Sequence, residues 1–241
     1  MKRFWDTATA QPGPLGWAIL LDGKPMHIPD GAELLVANQA LAEAIAAEWE
    51  AAGSAKGGEM TLDDVPLTRL AGTAQSRIAP DPAPVAEALS KYAETDVLCY
   101  RAEHPLPLVV RQAREWQPWL DWLEHTHGAR LRPTQGIQHL PQDPAALESV
   151  RHVLEAQPPP ILAALGVAVP ALGSVVLGLA LADGALDPQR AHELASLDEL
   201  FQAEQWGEDE WAQRRRTHVA GDVALAARFM SLARDQTKRA P

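Results

Sequence analysis

The sequence predicts an α+β fold, with a small N-terminal antiparallel sheet domain with helices followed by a larger all-α helical bundle domain. Three observations carry this reading. Asp22-Gly23 stands between the runs Trp17-Ala18-Ile19-Leu20-Leu21 and Lys24-Pro25-Met26-His27-Ile28, which is the arrangement of a tight hairpin. Pro80, Pro82 and Pro84 forbid continued helix and make a semi-rigid connector. Beyond them nearly every segment has helical spacing or helix-forming composition, with Pro or Gly between most of these segments. The predicted domains are therefore 1–83 and 84–241.

Taken in order, Arg3 to Val36 reads as strands and tight turns, with Gly13-Pro14-Leu15-Gly16 punctuating one of them. Asn38 has the character of an N-cap. Leu41, Ile45 and Trp49 then recur every fourth residue until Gly53 stops the helix. The stretch 53–59 is a loop, and a second helix starts near Pro66 or Leu67 and runs through Leu70, Ala74 and Ile78 to the prolines. Further helices are expected over 85–94, 106–126, 145–156, 161–165, 171–182, 188–206 and 220–233. The most apolar of these, Ala171 to Ala182, is shorter than the roughly 20 residues of a bilayer span and carries Gly173 and Gly178, so it reads as one buried helix. No repeat period supports a solenoid.

The formal charge of -11 argues against a nucleic-acid partner, because phosphate binding needs clustered Lys and Arg. The one basic run, Arg214-Arg215-Arg216, lies beside Glu208, Asp209 and Glu210 and reads as a solvated helical face with local ion pairs. A single cysteine, Cys99, excludes an intramolecular disulfide and a cysteine zinc cluster and suits a reducing compartment. Met1-Lys2-Arg3-Phe4-Trp5-Asp6 has no apolar run behind its basic residues, so no signal peptide is expected. The expected location is the cytoplasm.

Candidate sites for chemistry fail one by one. Gly53-Ser54-Ala55-Lys56-Gly57-Gly58 lacks the spacing and the Gly-Lys-Ser/Thr ending of a phosphate loop. His125 and His127 do not share a helix face and suit a helix end, with His139 further on. Asp63-Asp64 before Pro66 reads as helix-entry chemistry, Ser174 lacks a nucleophile-elbow frame and suits a buried helix, and Cys99 sits among apolar neighbours as a core residue. No catalytic residue, metal site, cofactor or small-molecule substrate is expected.

The aromatics are more informative. Tryptophan outnumbers Phe and Tyr, 8 against 3 and 2, and Trp116, Trp119 and Trp122 share one helix face, so part of the set suits a core and part an interface. Ser196 to Gly207 predicts a helix whose Leu194, Leu197 and Phe201 side is core, while Glu199, Gln202 and Trp206, at i, i+3 and i+7, fall on another side. Two readings stay open for that second side. It is either a surface meant for a partner, or a face covered by a neighbouring helix of the same chain with Glu199 held by an internal Arg.

Several segments together resemble one family, the assembly chaperones of F-type ATP synthase that bind its α subunit. The carriers are Arg3-Phe4-Trp5, Leu21-Asp22-Gly23-Lys24-Pro25, the stretch Leu41 to Trp49, Pro66-Leu67-Thr68-Arg69-Leu70 with Thr73-Ala74, and Tyr92 to Arg101. Gln112, Trp116, Pro118 and Trp122 follow in order, and Leu197 to Gly207 closes the series. The resemblance implies a non-enzymatic clamp that holds the unassembled α subunit and prevents its aggregation until the β subunit replaces it. For a mature eukaryotic chain it implies the mitochondrial matrix. It also implies an important acid at Glu199 or its neighbour Asp198; Gln202 and Trp206, picked out by helical spacing, are the further partner-binding candidates. Three positions depart from the pattern: Asp198 where Glu is expected, Ser76 where many members have Asp, and Val65 where Met is common. A standard interface of about 1,200–2,000 Å² suits a reversible handover. The competing expectations are a small-molecule enzyme uniting acids such as Asp96 and Glu199, and a general adaptor for another oligomer.

Overall fold

The computed structural model describes residues 1–234. The chain forms two compact units. The first comprises Met1–Pro82, Pro158–Ala164 and the segment from Arg228, and the second comprises Ala83–Gln157 and Leu165–Ala227. A single cut between 83 and 84 assigns 158–164 and the stretch from Arg228 differently. Residues 159–164 and 228–233 are parts of longer helices, which linker composition does not divide.

In the first unit, β1 (Ala8–Gly13) and β2 (Gly16–Leu21) form an antiparallel hairpin, β3 (Lys24–Pro25) follows across a two-residue turn, and β4 (Leu35–Val36) pairs with the start of β2. The predicted Asp22-Gly23 turn has φ of 49° and 75°, the doubly positive geometry that suits the twist of flanking strands. β1 is an edge strand: β2 lies on one side, and on the other the Ala8 N–H donates to Glu50 Oε2 at 2.7 Å. Helix α1 (Gln39–Ala51) lies against this hairpin with Leu41, Ile45 and Trp49 buried. Trp5 packs on Trp49 with ring centroids 4.8 Å apart and planes tilted by 58°, and it donates its indole N–H to the Trp49 carbonyl. Buried Arg3 spends its guanidinium on the carbonyls of Trp5, Asp6, Glu50 and Ala52. Asn38 precedes α1, but its side chain donates to the Leu232 carbonyl instead of capping the helix.

Thr61 and Asp64 form a reciprocal capping box and Asp63 pairs with Arg69, which is the helix-entry role expected of the two acids. α2 (Pro66–Thr73) opens on Pro66, where a missing N–H costs nothing, and continues as a wider turn over Ala74–Ile78 before Pro80.

The second unit is helical, with α3 (Ala83–Ser90), α4 (Leu106–His127), α5 (Pro144–Glu155), the later part of α6 (Pro159–Leu172), α7 (Val175–Asp183), α8 (Pro188–Ala195), α9 (Leu197–Trp206) and most of α10 (Glu210–Ala233). Pro84 lies in the first turn of α3 and so begins a helix. A short parallel pair, β5 (Tyr100–Arg101) with β6 (Thr134–Gln135), was not legible in two residues of sequence.

Three helical expectations need correction. The run 171–182 is not one helix, because Gly173 turns the chain at φ 61° and Ser174 restarts it by accepting the Leu177 N–H at 3.0 Å. The run 188–206 is two helices broken at Ser196, and the last helix begins at Glu210, well before Ala220. Gly178 permits close approach of α7 to α6, since a Cβ there would meet Val169 Cγ2 at 2.5 Å. Among the described residues, no helix is long and apolar enough to cross a membrane.

Candidate functional site

Leu194, Leu197 and Phe201 are buried, so the apolar side of α9 is core as its spacing predicts. Trp116 is buried too and donates its indole N–H to the Leu194 carbonyl at 2.9 Å, tying α4 to the end of α8. Trp119 and Trp122 are half-buried on the same face of α4, with ring centroids 6.3 Å apart.

One turn before Trp116, fully buried Gln112 fixes the first turn of α9. Its Oε1 accepts the Ala102 N–H at 2.7 Å. A backbone N–H can only donate, so the amide is oriented and Nε2 must be the group that donates to Asp198 Oδ1, also at 2.7 Å. The Gln112 carbonyl accepts from Arg101, whose guanidinium lies 5.3 Å from the Trp116 ring. Burial raises the Asp198 pKa and the charge of Glu199 acts in the same direction, while the Gln112 bond opposes both. Asp198 Oδ2 accepts no hydrogen bond among the described residues. A second clip joins the same two helices: Arg111 grips Glu204 with two nitrogens, at 2.7 and 2.9 Å, and its guanidinium lies 6.0 Å from the Phe201 ring.

Glu199 has a different environment from its neighbour. Its Oε1 pairs with Arg215 of α10, and its buried Oε2 lies 3.7 Å from Arg216 Nη1 without a hydrogen bond. Arg216 also pairs with Glu208 and is buried, so the basic run is not a wholly solvated face. Only Arg214, paired with Glu210, and half-exposed Arg215 fit that reading. A cleft of about 230 Å³ lies here, with Gly173, Ser196, Glu199, Arg215, Arg216 and Val219 among its lining. The internal Arg weighed as an alternative for Glu199 is thus supplied by α10.

Gln202 is exposed, and Trp206 is 80% exposed instead of packing on the next helix. The sequence reading missed Trp211, which is 73% exposed at the start of α10. The signal was available, since a large aromatic amid Glu208, Asp209 and Glu210 meets the same criterion that picked out Trp206.

Asp96 does not line the Glu199 cleft. It is wholly buried and accepts from Ser174 Oγ at 2.9 Å, the Leu98 N–H at 3.0 Å and the Val176 N–H at 3.1 Å. Desolvation outweighs these bonds and pushes its pKa up to about 6. Burial likewise pushes the Cys99 thiol up to about 12, which suits an inert core residue. His125 and His127 occupy the last turn of α4, where His127 Nε2 lies 3.0 Å from Asp183, and His139 bonds Tyr100. Among the described residues, no group of three or more His, Cys, Asp or Glu side chains is placed to hold a metal ion.

The model of the ATP12 chaperone protein family matches residues 2–124. Among solved structures, Atp12 from Paracoccus denitrificans is 39% identical with a TM-score of 0.90, covering 97% of this chain and 98% of that one. An aspartate-to-lysine mutant of the same Paracoccus protein matches with 38% identity, a TM-score of 0.90 and the same coverage. The Atu1473 protein of Agrobacterium tumefaciens is 36% identical with a TM-score of 0.88, covering 97% of this chain and 86% of that one.

Proposed function

The chain belongs to the ATP12 chaperone family of ATP synthase assembly chaperones, and from that membership we propose that it binds the unassembled α subunit of F-type ATP synthase. In this reading it is a non-enzymatic holder. It covers a surface of α that would otherwise aggregate, and β later displaces it. The net charge of -11 favours rapid encounter with a basic patch on such a client.

The observation that carries the site is the asymmetry of Asp198. Gln112 holds one carboxylate oxygen rigidly, and the other has no partner within the described chain. A half-buried carboxylate with a free oxygen gains more from an incoming Lys or Arg than a fully solvated one does. Gln202 and Trp206 continue the stripe at i+4 and i+8 of α9. Glu199 belongs to the same surface but acts mainly as the brace between α9 and α10, because Arg215 and Arg216 already occupy it.

Capture of the purified α subunit of the same source tests this, with heat aggregation of α as a second readout. Asp198→Asn keeps the acceptor for Gln112 and loses the charge, so capture should fall while the melting temperature stays. Glu199→Lys should lower both together, by setting a third cation against Arg215 and Arg216. Normal capture by Asp198→Asn would remove the site assignment, and a wild-type chain that never retains α would remove the partner.

A further inference from the structure

Trp206 ends α9 and Trp211 stands in the first turn of α10, and both are mostly exposed. Neither ring stacks on another aromatic or lies under a cation among the described residues. The turn between them does not need them. Gly207 closes α9 at φ 92°, and Asp209 caps α10 by accepting the Ala212 N–H at 2.8 Å.

Helical spacing nevertheless relates both to the ion pair that joins α9 and α10. Glu199 and Arg215 pair from eight residues either side of Gly207, so the two helices are joined across the turn that carries both indoles. Trp211 and Arg215 are i, i+4 on α10, and Glu199 and Trp206 are i, i+7 on α9, so both indoles prolong the ion-paired seam toward the turn. The nearby acids are mostly matched: Glu199 with Arg215, Glu208 with Arg216, Glu210 with Arg214 and Glu204 with Arg111. Asp198 and Asp209 make no ion pair; Asp198 stands two turns before Trp206 on α9, and Asp209 lies between the two indoles in sequence.

We propose that Trp206 and Trp211 form a two-point apolar anchor for the client. The client segment seated there joins an apolar face to a Lys or Arg that meets the unpaired acids. This rests on the chaperone reading above and adds Trp211 and the chemistry of the bound segment. Charge decides against a second copy of this chain as occupant, because a two-fold contact would set the unpaired acids of two strongly acidic chains against each other.

The test titrates the purified α subunit with full-length Trp206→Ala, Trp211→Ala and the double variant, alongside thermal melts. Truncating a hot-spot Trp weakens binding on the order of 30-fold. Each single variant should show that loss and the double variant a larger one, all at unchanged melting temperature. Wild-type Trp emission should move to the blue on binding, and the double variant should lack that move. Wild-type affinity in the double variant, with Asp198→Asn still weakened, would overturn the anchor and leave the chaperone reading standing. Absence of α binding by the wild-type chain would overturn both. A dimer in sedimentation that the double variant abolishes would also overturn the anchor, by making a second copy the occupant.

Discussion

Asp96 beside the start of α7 and Asp198 in the first turn of α9 look alike by residue type, helix position and the direction in which burial moves their pKa. They differ in what their oxygens do. Asp96 takes a hydroxyl and two backbone N–H groups, so both its oxygens are engaged inside the core. Asp198 takes one amide N–H and keeps an oxygen free. A perturbed carboxylate whose bonds are met inside the core is a structural staple, and one that keeps an oxygen free is the better candidate for a contact.

The most direct way to break this comparison is to delete both side chains. Asp96→Ala strands the Ser174 hydroxyl and the Leu98 and Val176 N–H groups in the core, and should cost about 3–5 kcal/mol in urea unfolding. Asp198→Ala should cost about 1 kcal/mol but lose α capture.

Proton linkage gives the next effect. The folded pKa of Asp96, about 6, lies above its unfolded value of 3.8, so the fold favours the protonated acid. Its stabilising contribution is complete below about pH 4 and is lost as pH rises through 6, a difference of about 3 kcal/mol. Asp96→Asn should remove that slope from urea midpoints measured between pH 4 and 7.

A smaller effect tests the link from α4 to α9. Gln112→Leu leaves the Ala102 N–H unpaired, which should lower stability by about 1–3 kcal/mol and weaken capture through a loosened Asp198. Gln112→Glu keeps an acceptor for Ala102 but sets a carboxylate against Asp198. Its capture should recover as pH falls and one of the two acids is protonated, a response that a purely structural defect would not give. The smallest effect belongs to Glu199→Gln. It weakens a half-exposed ion pair by less than about 1 kcal/mol, with capture close to wild type if Asp198 is the contacting acid.

Much of the fold was legible because its signals are local. The Asp22-Gly23 turn, the Leu41, Ile45 and Trp49 stripe and the Pro66 helix start each need only a few adjacent residues. The breaks at Ser174 and Ser196 were not legible in apolar, helix-forming text. The first rests on a bond to Asp96, which is 78 residues away in the chain. The site divides the same way. Burial of Leu197 and Phe201 followed from helical periodicity, whereas the occupied state of Glu199 depends on how α10 folds back on α9, a register that no single segment encodes. Spacing alone could not separate Asp198 from Glu199, because the distinction is made by Gln112 on another helix.

The edge strand β1 bears on the hazard of handling sticky clients. Groups on a strand point alternately to either side, so Ala8, Ala10 and Pro12 direct theirs away from β2. Glu50 already holds the Ala8 N–H and Pro12 has none, which leaves Ala10 as the one outward donor of this strand among the described residues. A foreign strand zipping along β1 would find one free donor where three outward residues could have offered three, so the ladder would rest mostly on the strand's carbonyls. If the client is aggregation-prone, as the proposed function has it, the sheet of this chain offers little for that client to extend.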